Sequence, residues 1–445
     1  MSKPDADHAA LEDTGHSAIA RHDPADLRLA LSNEWHARPR LSMPSPLRCS
    51  HLLSLRDGVS LEKRREEFAD FCRQQGQTAP GENSRHHSVR VGNCLLKWEG
   101  HTEADSYTIL AAGSGEPTFS TPALEFLDAP MREELLCDLF LGVHVETIAG
   151  GDIDADERLQ RIRSLLGINE VYGGAIAGGQ GEIWSSFRLD AQGFLRLVLV
   201  DYGMGELRLS RYLQRLLEIE AYRMLAMLAL PKAREVMAAL GGLEPELDAV
   251  TEQIAHRNTD SAQEQLLEQI TRIAAQVEHV VALHAYRFAA ARAYTGIVNR
   301  RLTELEETSL GAAPRYTAFL QKTLLPAMGT CDAAERRAQE LAQRVGRATQ
   351  LLNTMVDMDQ KKQNQKILES MAERANLQLR LQQSVEGFSI FAITYYAVGL
   401  LSYLFKSGKE IGLPLDANLL TGITAPLVLA VVWLSVRRVR RRLKN

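Results

Sequence analysis

Two stretches near the C-terminal end constrain this chain more than any other feature. Residues 387–405 read GFSIFAITYYAVGLLSYLF and carry no charge. As a helix this run is about 28 Å long, close to the hydrocarbon thickness of a bilayer. Residues 419–436, LLTGITAPLVLAVVWLSV, are uncharged as well. Pro426 within them is compatible with a packed membrane helix. Lys406, Lys409, Glu410, Pro414 and Asp416 make the connection short and polar. The pattern predicts a two-helix transmembrane hairpin over 386–436, with the lipid bilayer as its partner.

The basic tail sets the expected orientation. Arg437, Arg438, Arg440, Arg441, Arg442 and Lys444 follow the second run, against two lysines in the connection. Cytoplasmic flanks are enriched in Lys and Arg. The tail, 437–445, is therefore expected inside, and two spans return everything before 386 to the same side. Residues 1–23 have no apolar core of the kind a secretory signal needs and read as a disordered tail. The net charge of −5 argues against a general nucleic-acid binder. Five cysteines without a CxxC pair read as reduced, mostly buried thiols.

Between about 204 and 385, Leu, Ala, Glu, Arg and Gln dominate and strand signals fade. Breakers at Pro231, Gly241, Gly242, Pro245, Gly311, Pro314, Pro326 and Gly329 predict helices over 205–240, 244–308, 314–325 and 331–385. The last has no proline ahead of the first apolar run, so it is expected to continue into it. Leu341, Val345, Ala348, Leu352 and Met355 alternate at spacings of four and three, a short coiled-coil seam. The seam ends at the polar run 357–365, which reads as a solvated face or as a lining turned toward the axis of a homo-oligomer. Glu220 and Arg223 are spaced to pair on one helix face.

Residues 24–203 read as an α+β domain. Strand-like runs lie at 47–55, 88–98, 105–112, 139–147, 171–177, 182–189 and 194–201, with helices at 60–75, 131–137 and 155–166. Glycines 173, 174, 178, 179 and 181 only loosely resemble a phosphate loop. No Gly-Lys-Ser/Thr follows and a strand comes next, so they read as a hairpin turn. Two polar clusters stand out, Asn33-Glu-Trp-His-Ala-Arg-Pro39 and Trp98-Glu-Gly-His-Thr-Glu103. Each joins an imidazole to a carboxylate, and the first adds a guanidinium. Such groups bind anions, move protons, or form a buried structural network. The binding candidates are Asn33, Glu34, His36, Arg38, His101 and Glu103. His86 and His87 read as a loop-edge pair.

Several stretches together resemble the bacterial family catalogued as domain of unknown function 3422. They are LSNEWHARP at 31–39, WEGHTE at 98–103, LQRLLEIEAYRMLAMLALP at 213–231 and LQLRLQQSVEGFSIFAITYYAVGL at 377–400. The likeness runs from about 24 to 440. Ala104 stands where the family usually has a bulky aromatic. The resemblance implies a protein of the bacterial cytoplasmic membrane and supplies no activity. A looser likeness in architecture joins the chain to CorA-type magnesium channels, but Tyr403-Leu-Phe-Lys-Ser-Gly replaces their Gly-Met-Asn motif.

The expected whole is an α+β cytoplasmic domain, a long helical and coiled-coil stalk, and the transmembrane hairpin. The leading functional expectation is a membrane-anchored binding or scaffold protein. A channel or transporter is the alternative, with Asp357, Asp359, Ser389, Thr394 and Tyr396 lining its pore. A tethered enzyme is the third and needs the His, Glu and Arg residues of both clusters to converge. The residues name no catalytic group, no metal and no cofactor.

Overall fold

A computed structural model describes Arg28 and residues 42–151, 154–256, 263–410 and 417–442. The first polar cluster, with Asn33, Glu34, His36 and Arg38, lies outside the described residues. The chain divides into two compact units. One reaches through Val250 and takes in Thr271–Val345; the other comprises Thr251–Ile270 and the chain from Gly346 onward.

The first unit is built on a mixed sheet. Its strands are β1 (Leu47–Leu55), β2 (His86–Val91), β3 (Cys94–Gly100), β4 (Ala104–Ala112), β5 (Leu139–Ala149), β6 (Tyr172–Ile176), β7 (Gly181–Leu189) and β8 (Phe194–Asp201). They are ordered β2-β3-β4-β1-β5-β8-β7-β6. Only β5 and β8 run parallel; every other neighbouring pair is antiparallel. The run 88–98, expected as one strand, is a hairpin of β2 and β3. Gly92 turns it with φ of 53°, a backbone state open to glycine without steric cost. The glycine cluster at 173–181 is the β6–β7 hairpin, with Gly178 and Gly179 at φ of 68° and 86°.

Period-two alternation splits the sheet into two faces. On one face Leu52, Leu96, Trp98, Tyr107 and Ile109 pack with Phe68, Phe71 and Cys72 of helix α1 (Leu61–Gln74) and with Met131 and Leu135 of helix α2 (Ala129–Cys137). Asp128 starts α2 by accepting from the Met131 N–H, as an N-cap should. At the other end of the sheet, Ile148, Trp184, Val198 and Val200 pack on Ile162 and Leu166 of helix α3 (Ala155–Leu166).

The helices that follow are α4 (Glu206–Met227), α5 (Ala229–Ala255), α6 (Gln263–Glu304), α7 (Tyr316–Glu410) and α8 (Ala417–Arg442). Two expected breaks do not occur. Helix α5 passes through Gly241, Gly242 and Pro245, and α7 passes through Pro326 and Gly329. An interior proline loses a backbone bond and costs about 3 kcal/mol. Burial on both sides of each proline offsets that: Leu243 and Leu247 in α5, Leu324, Met328 and Cys331 in α7. Ion pairs also tie the helices of this unit, Arg337 to Glu244 at 2.6 Å and Arg272 to Glu246 at 3.2 Å.

Glu220 and Arg223 do meet on α4, with Arg223 Nε 2.9 Å from the carboxylate. The Tyr316 hydroxyl donates to the same carboxylate, so the pair is part of a three-member network in which Glu220 and Tyr316 are buried. Four of the five cysteines are buried, Cys137 is exposed, and all are free thiols.

In the second unit, α7 changes character. Ala348 and Leu352 of the heptad stripe are buried, as are Leu341 and Val345 of the stripe in the first unit. Beyond them Met358, Ile367, Leu368, Met371, Leu379 and Leu381 are exposed apolar side chains. Helix α7 then runs unbroken through the first apolar stretch, and α8 carries the second. Both are long and apolar enough to cross a membrane, with none of either apolar window buried within the chain.

Candidate functional site: a polar cavity over the sheet

A cavity of about 330 Å³ opens on the sheet face opposite α1 and α2. That volume falls at the lower end of the small-molecule range of roughly 300–1,000 Å³. The sheet supplies its floor, α4 and α6 its walls, and the turn 100–102 part of its rim.

Strand register builds the floor. His51 on β1 stands opposite Thr108 on β4, and Thr108 opposite Lys97 on β3. Lys97 and Glu99 are two residues apart on one strand, so both side chains project to this face. Lys97 Nζ lies 2.8 Å from Glu99 Oε1. Burial raises the Glu99 carboxyl, but the Lys97 ammonium and its hydrogen bond hold it below the ordinary glutamate value. His51 Nδ1 is 2.9 Å from Thr108 Oγ1. Its Nε2 is buried with no hydrogen-bond partner among the described residues. Burial pushes the His51 imidazole down to about 4, and neighbouring His101 and Lys97 push the same way while Glu99 opposes them. At neutral pH this imidazole is uncharged.

The walls are mixed. Leu213, Leu217, Ala221 and Ile297 present carbon, while Gln214, Glu218, Tyr222 and Tyr294 present polar atoms. Glu218 is already engaged, accepting from Gln214 at 2.9 Å and pairing with Arg301. Tyr222 and Tyr294 stack with ring centroids 5.5 Å apart, and the His101 ring meets Tyr222 edge-on at 6.0 Å. Arg85 stands exposed at the rim and forms no ion pair among the described residues.

The second polar cluster is thus split between two tasks. His101 lines the cavity, with Nε2 3.1 Å from Ser106 Oγ. Glu103, two residues on, accepts both terminal nitrogens of Arg287 on α6, at 3.0 and 2.6 Å. The Tyr294 hydroxyl sits well above the usual tyrosine value because burial and its hydrogen bond to Glu103 both favour the protonated form. Glu103 therefore fastens α6 over the sheet, and His101 faces the space that results.

The cavity residues missed in the sequence are His51, Lys97, Thr108 and Arg85, with Tyr222 and Tyr294 from the helices; Glu99 lay in the second polar cluster but was not among the binding candidates. One signal was legible. Lys97 in CLLKWEG and His51 in LRCSHLLSL are basic side chains in the interior of strands, flanked on both sides by apolar or small residues. His86, read as a loop-edge residue, opens β2 and lines the cavity. His87 turns elsewhere, its Nε2 2.7 Å from the Thr78 carbonyl.

The residues proposed for a pore are placed as follows. Asp357 is exposed, and Asp359 accepts from Gln263 Nε2 at 3.1 Å. Ser389 and Thr394 donate to the carbonyls of Val385 and Ile390 in their own helix. Tyr396 is exposed, edge-on to Tyr395.

A second buried polar pair lies on the opposite face of the sheet. Ser50 Oγ lies 3.0 Å from His144 Nδ1, but it also accepts the Leu124 N–H and is buried on the far face. His144 stacks on Phe194 at 4.0 Å, so this pair anchors the 123–126 turn without reaching open space. Among the described residues, no three His, Cys, Asp or Glu side chains converge as metal ligands do.

An α/β sheet domain with a polar cavity, followed by long helices of which two can span a membrane, defines the class of protein. The matched family gives it no activity. The chain belongs to the family Protein of unknown function (DUF3422), whose family model matches residues 23–443. No curated protein matches the chain.

Proposed function

We propose that this is a membrane-anchored binding protein, held in the bilayer by α7 and α8, whose α/β domain takes up a small ligand on the cytoplasmic side. The observation that carries the reading is His51 Nε2, a buried polar atom in the floor of a cavity with no partner among the described residues. Buried polar atoms in native proteins are nearly all paired, because an unpaired one costs about 1–3 kcal/mol. A bound ligand supplies the missing partner.

The anchoring half rests on the apolar windows of α7 and α8. Phe388, Phe391, Leu404 and Leu434 are exposed there, a surface suited to lipid. The basic residues after α8 favour a cytoplasmic C-terminus, and a two-span passage brings the α/β domain to the same side. Exposed Cys137 then lies inside, and a cysteine introduced at Ser407 lies at the outer surface. A membrane-impermeant maleimide applied to intact cells should label Ser407→Cys and spare Cys137. Labelling of Cys137 first overturns the orientation.

Ligand binding is tested on the full chain in a non-ionic detergent, by thermal shift against a metabolite set and by native mass spectrometry. At least one compound should raise the melting temperature or co-purify. Neither effect with any compound removes the binding reading.

The bare length of α7 supports self-association. Ile367, Leu368 and Met371 are exposed along it, and a second copy laid against this helix covers them. Light scattering should give a mass above one chain, reduced by Leu368→Glu. An ion-conducting oligomer is the second reading, because such an assembly brings several copies of Asp357 around one axis. Flux unchanged by Asp357→Asn retires it.

A further inference from the structure

The floor of the cavity holds hydrogen-bond donors that no acceptor among the described residues takes up. Lys97 is buried, and an ammonium has three N–H groups to place. Among the described residues its one acceptor is Glu99 Oε1. Two donors of a buried cation are therefore unspent. One strand away is Thr108 and one further is His51. Neighbouring strands are about 4.8 Å apart, so a group seated over Thr108 is within reach of both basic side chains. In the tautomer in which the Thr108 hydroxyl donates to Nδ1, the imidazole proton is on Nε2 and the orphan atom is a further donor. The carboxylates nearby are each ion-paired, Glu99 through Oε1 with Lys97 and Glu218 through Oε2 with Arg301. Arg85 at the rim adds a cation that forms no ion pair among the described residues. The opposing wall of Leu213, Leu217 and Ile297 suits a carbon skeleton.

We propose that the ligand is a small organic anion, a carboxylate or phosphate ester, whose acceptor oxygens lie over Thr108 between Lys97 and His51. The proposal rests on the binding reading above and gives it a chemical class. The anionic end takes the spare N–H groups of Lys97 and the His51 Nε2 proton. The carbon chain lies along α4, and a second acidic group, where the ligand has one, meets Arg85.

The test is calorimetric titration of the full chain in a non-ionic detergent. The probes are butanoate, glutarate and butyl phosphate, set against the uncharged butanamide and pentanediamide. The anions should bind at least tenfold more tightly than the amides. Arg85→Ala, an exposed position at which folding is not at stake, should weaken glutarate several-fold and butanoate little. Lys97→Met should abolish anion binding. If that variant does not fold, the anion-to-amide ratio on the unaltered chain still decides. Amides binding as well as anions overturn the anion class and leave the cavity reading standing. No binding of any anion at millimolar concentration also overturns the class. The binding reading then depends on whether any metabolite shifts the melting temperature.

Discussion

Replacing Glu220 by alanine tests how the helices of the first unit are locked. Glu220 is fully buried on α4 and its carboxylate serves two partners, the Arg223 guanidinium and the Tyr316 hydroxyl from α7. Removing it leaves a cation and a phenol without an acceptor. Breaking one side of a buried ion pair costs about 3–5 kcal/mol. Arg223 keeps 21% of its side chain exposed, so water relieves part of the loss and the lower end applies. An expected loss of about 3 kcal/mol, at about 2 °C per kcal/mol for a large unit, lowers the melting temperature by about 6 °C. Glu220→Gln keeps neutral acceptors and should lose less. Tyr316→Phe removes one hydrogen bond to a charged acceptor and should cost about 1.5–3 kcal/mol. The assay is thermal unfolding of the full chain in detergent, followed by circular dichroism. A shift under about 2 °C for Glu220→Ala would refute the claim that this network holds α4 against α7.

Two histidines predict a pH dependence. Burial lowers both His51 and His144 from 6.5 to about 4. The folded chain therefore keeps them neutral while the unfolded chain protonates them, so their stability contribution is present above pH 6.5 and is lost as pH falls toward 4. Each should add a slope of up to about 1.4 kcal/mol per pH unit in that window. Melting temperature against pH should flatten in His51→Gln and in His144→Gln, and an unchanged slope in both refutes the assignment. Gly173→Ala should destabilise the β6–β7 hairpin. A Cβ there comes within 2.1 Å of the Ile183 carbonyl and 2.4 Å of the Trp184 ring, an overpacking that costs about 1–3 kcal/mol. Urea unfolding of the variant measures it, and a midpoint equal to that of the unaltered chain contradicts the contact.

Strands such as β1 and β8 were legible because their limits are local, whereas the turn at Gly92 within 88–98 was not. β1 and β8 match the expected runs at both ends, since apolar alternation is closed off by turn residues in the chain itself. The apolar windows of α7 and α8 were legible for a simpler reason: no charge interrupts them over a membrane's thickness. Local rules failed at Pro245 and Pro326, where the cost of an interior proline is real but burial on both sides outweighs it.

The cavity was beyond the sequence because it depends on pairing order. His51 meets Thr108 and shares a floor with Lys97 only because β1 inserts between β4 and β5. Nothing within β1 states which strand will lie beside it, since antiparallel neighbours are selected by the joint burial of both faces. Tyr294 reaches the same space from α6, fastened by Glu103 through Arg287. The sequence alone determined where strands and apolar helices form, because periodicity and charge act over a few residues. Only the tertiary structure decided which polar side chains share a wall, because that requires residues far apart in the chain to be buried together.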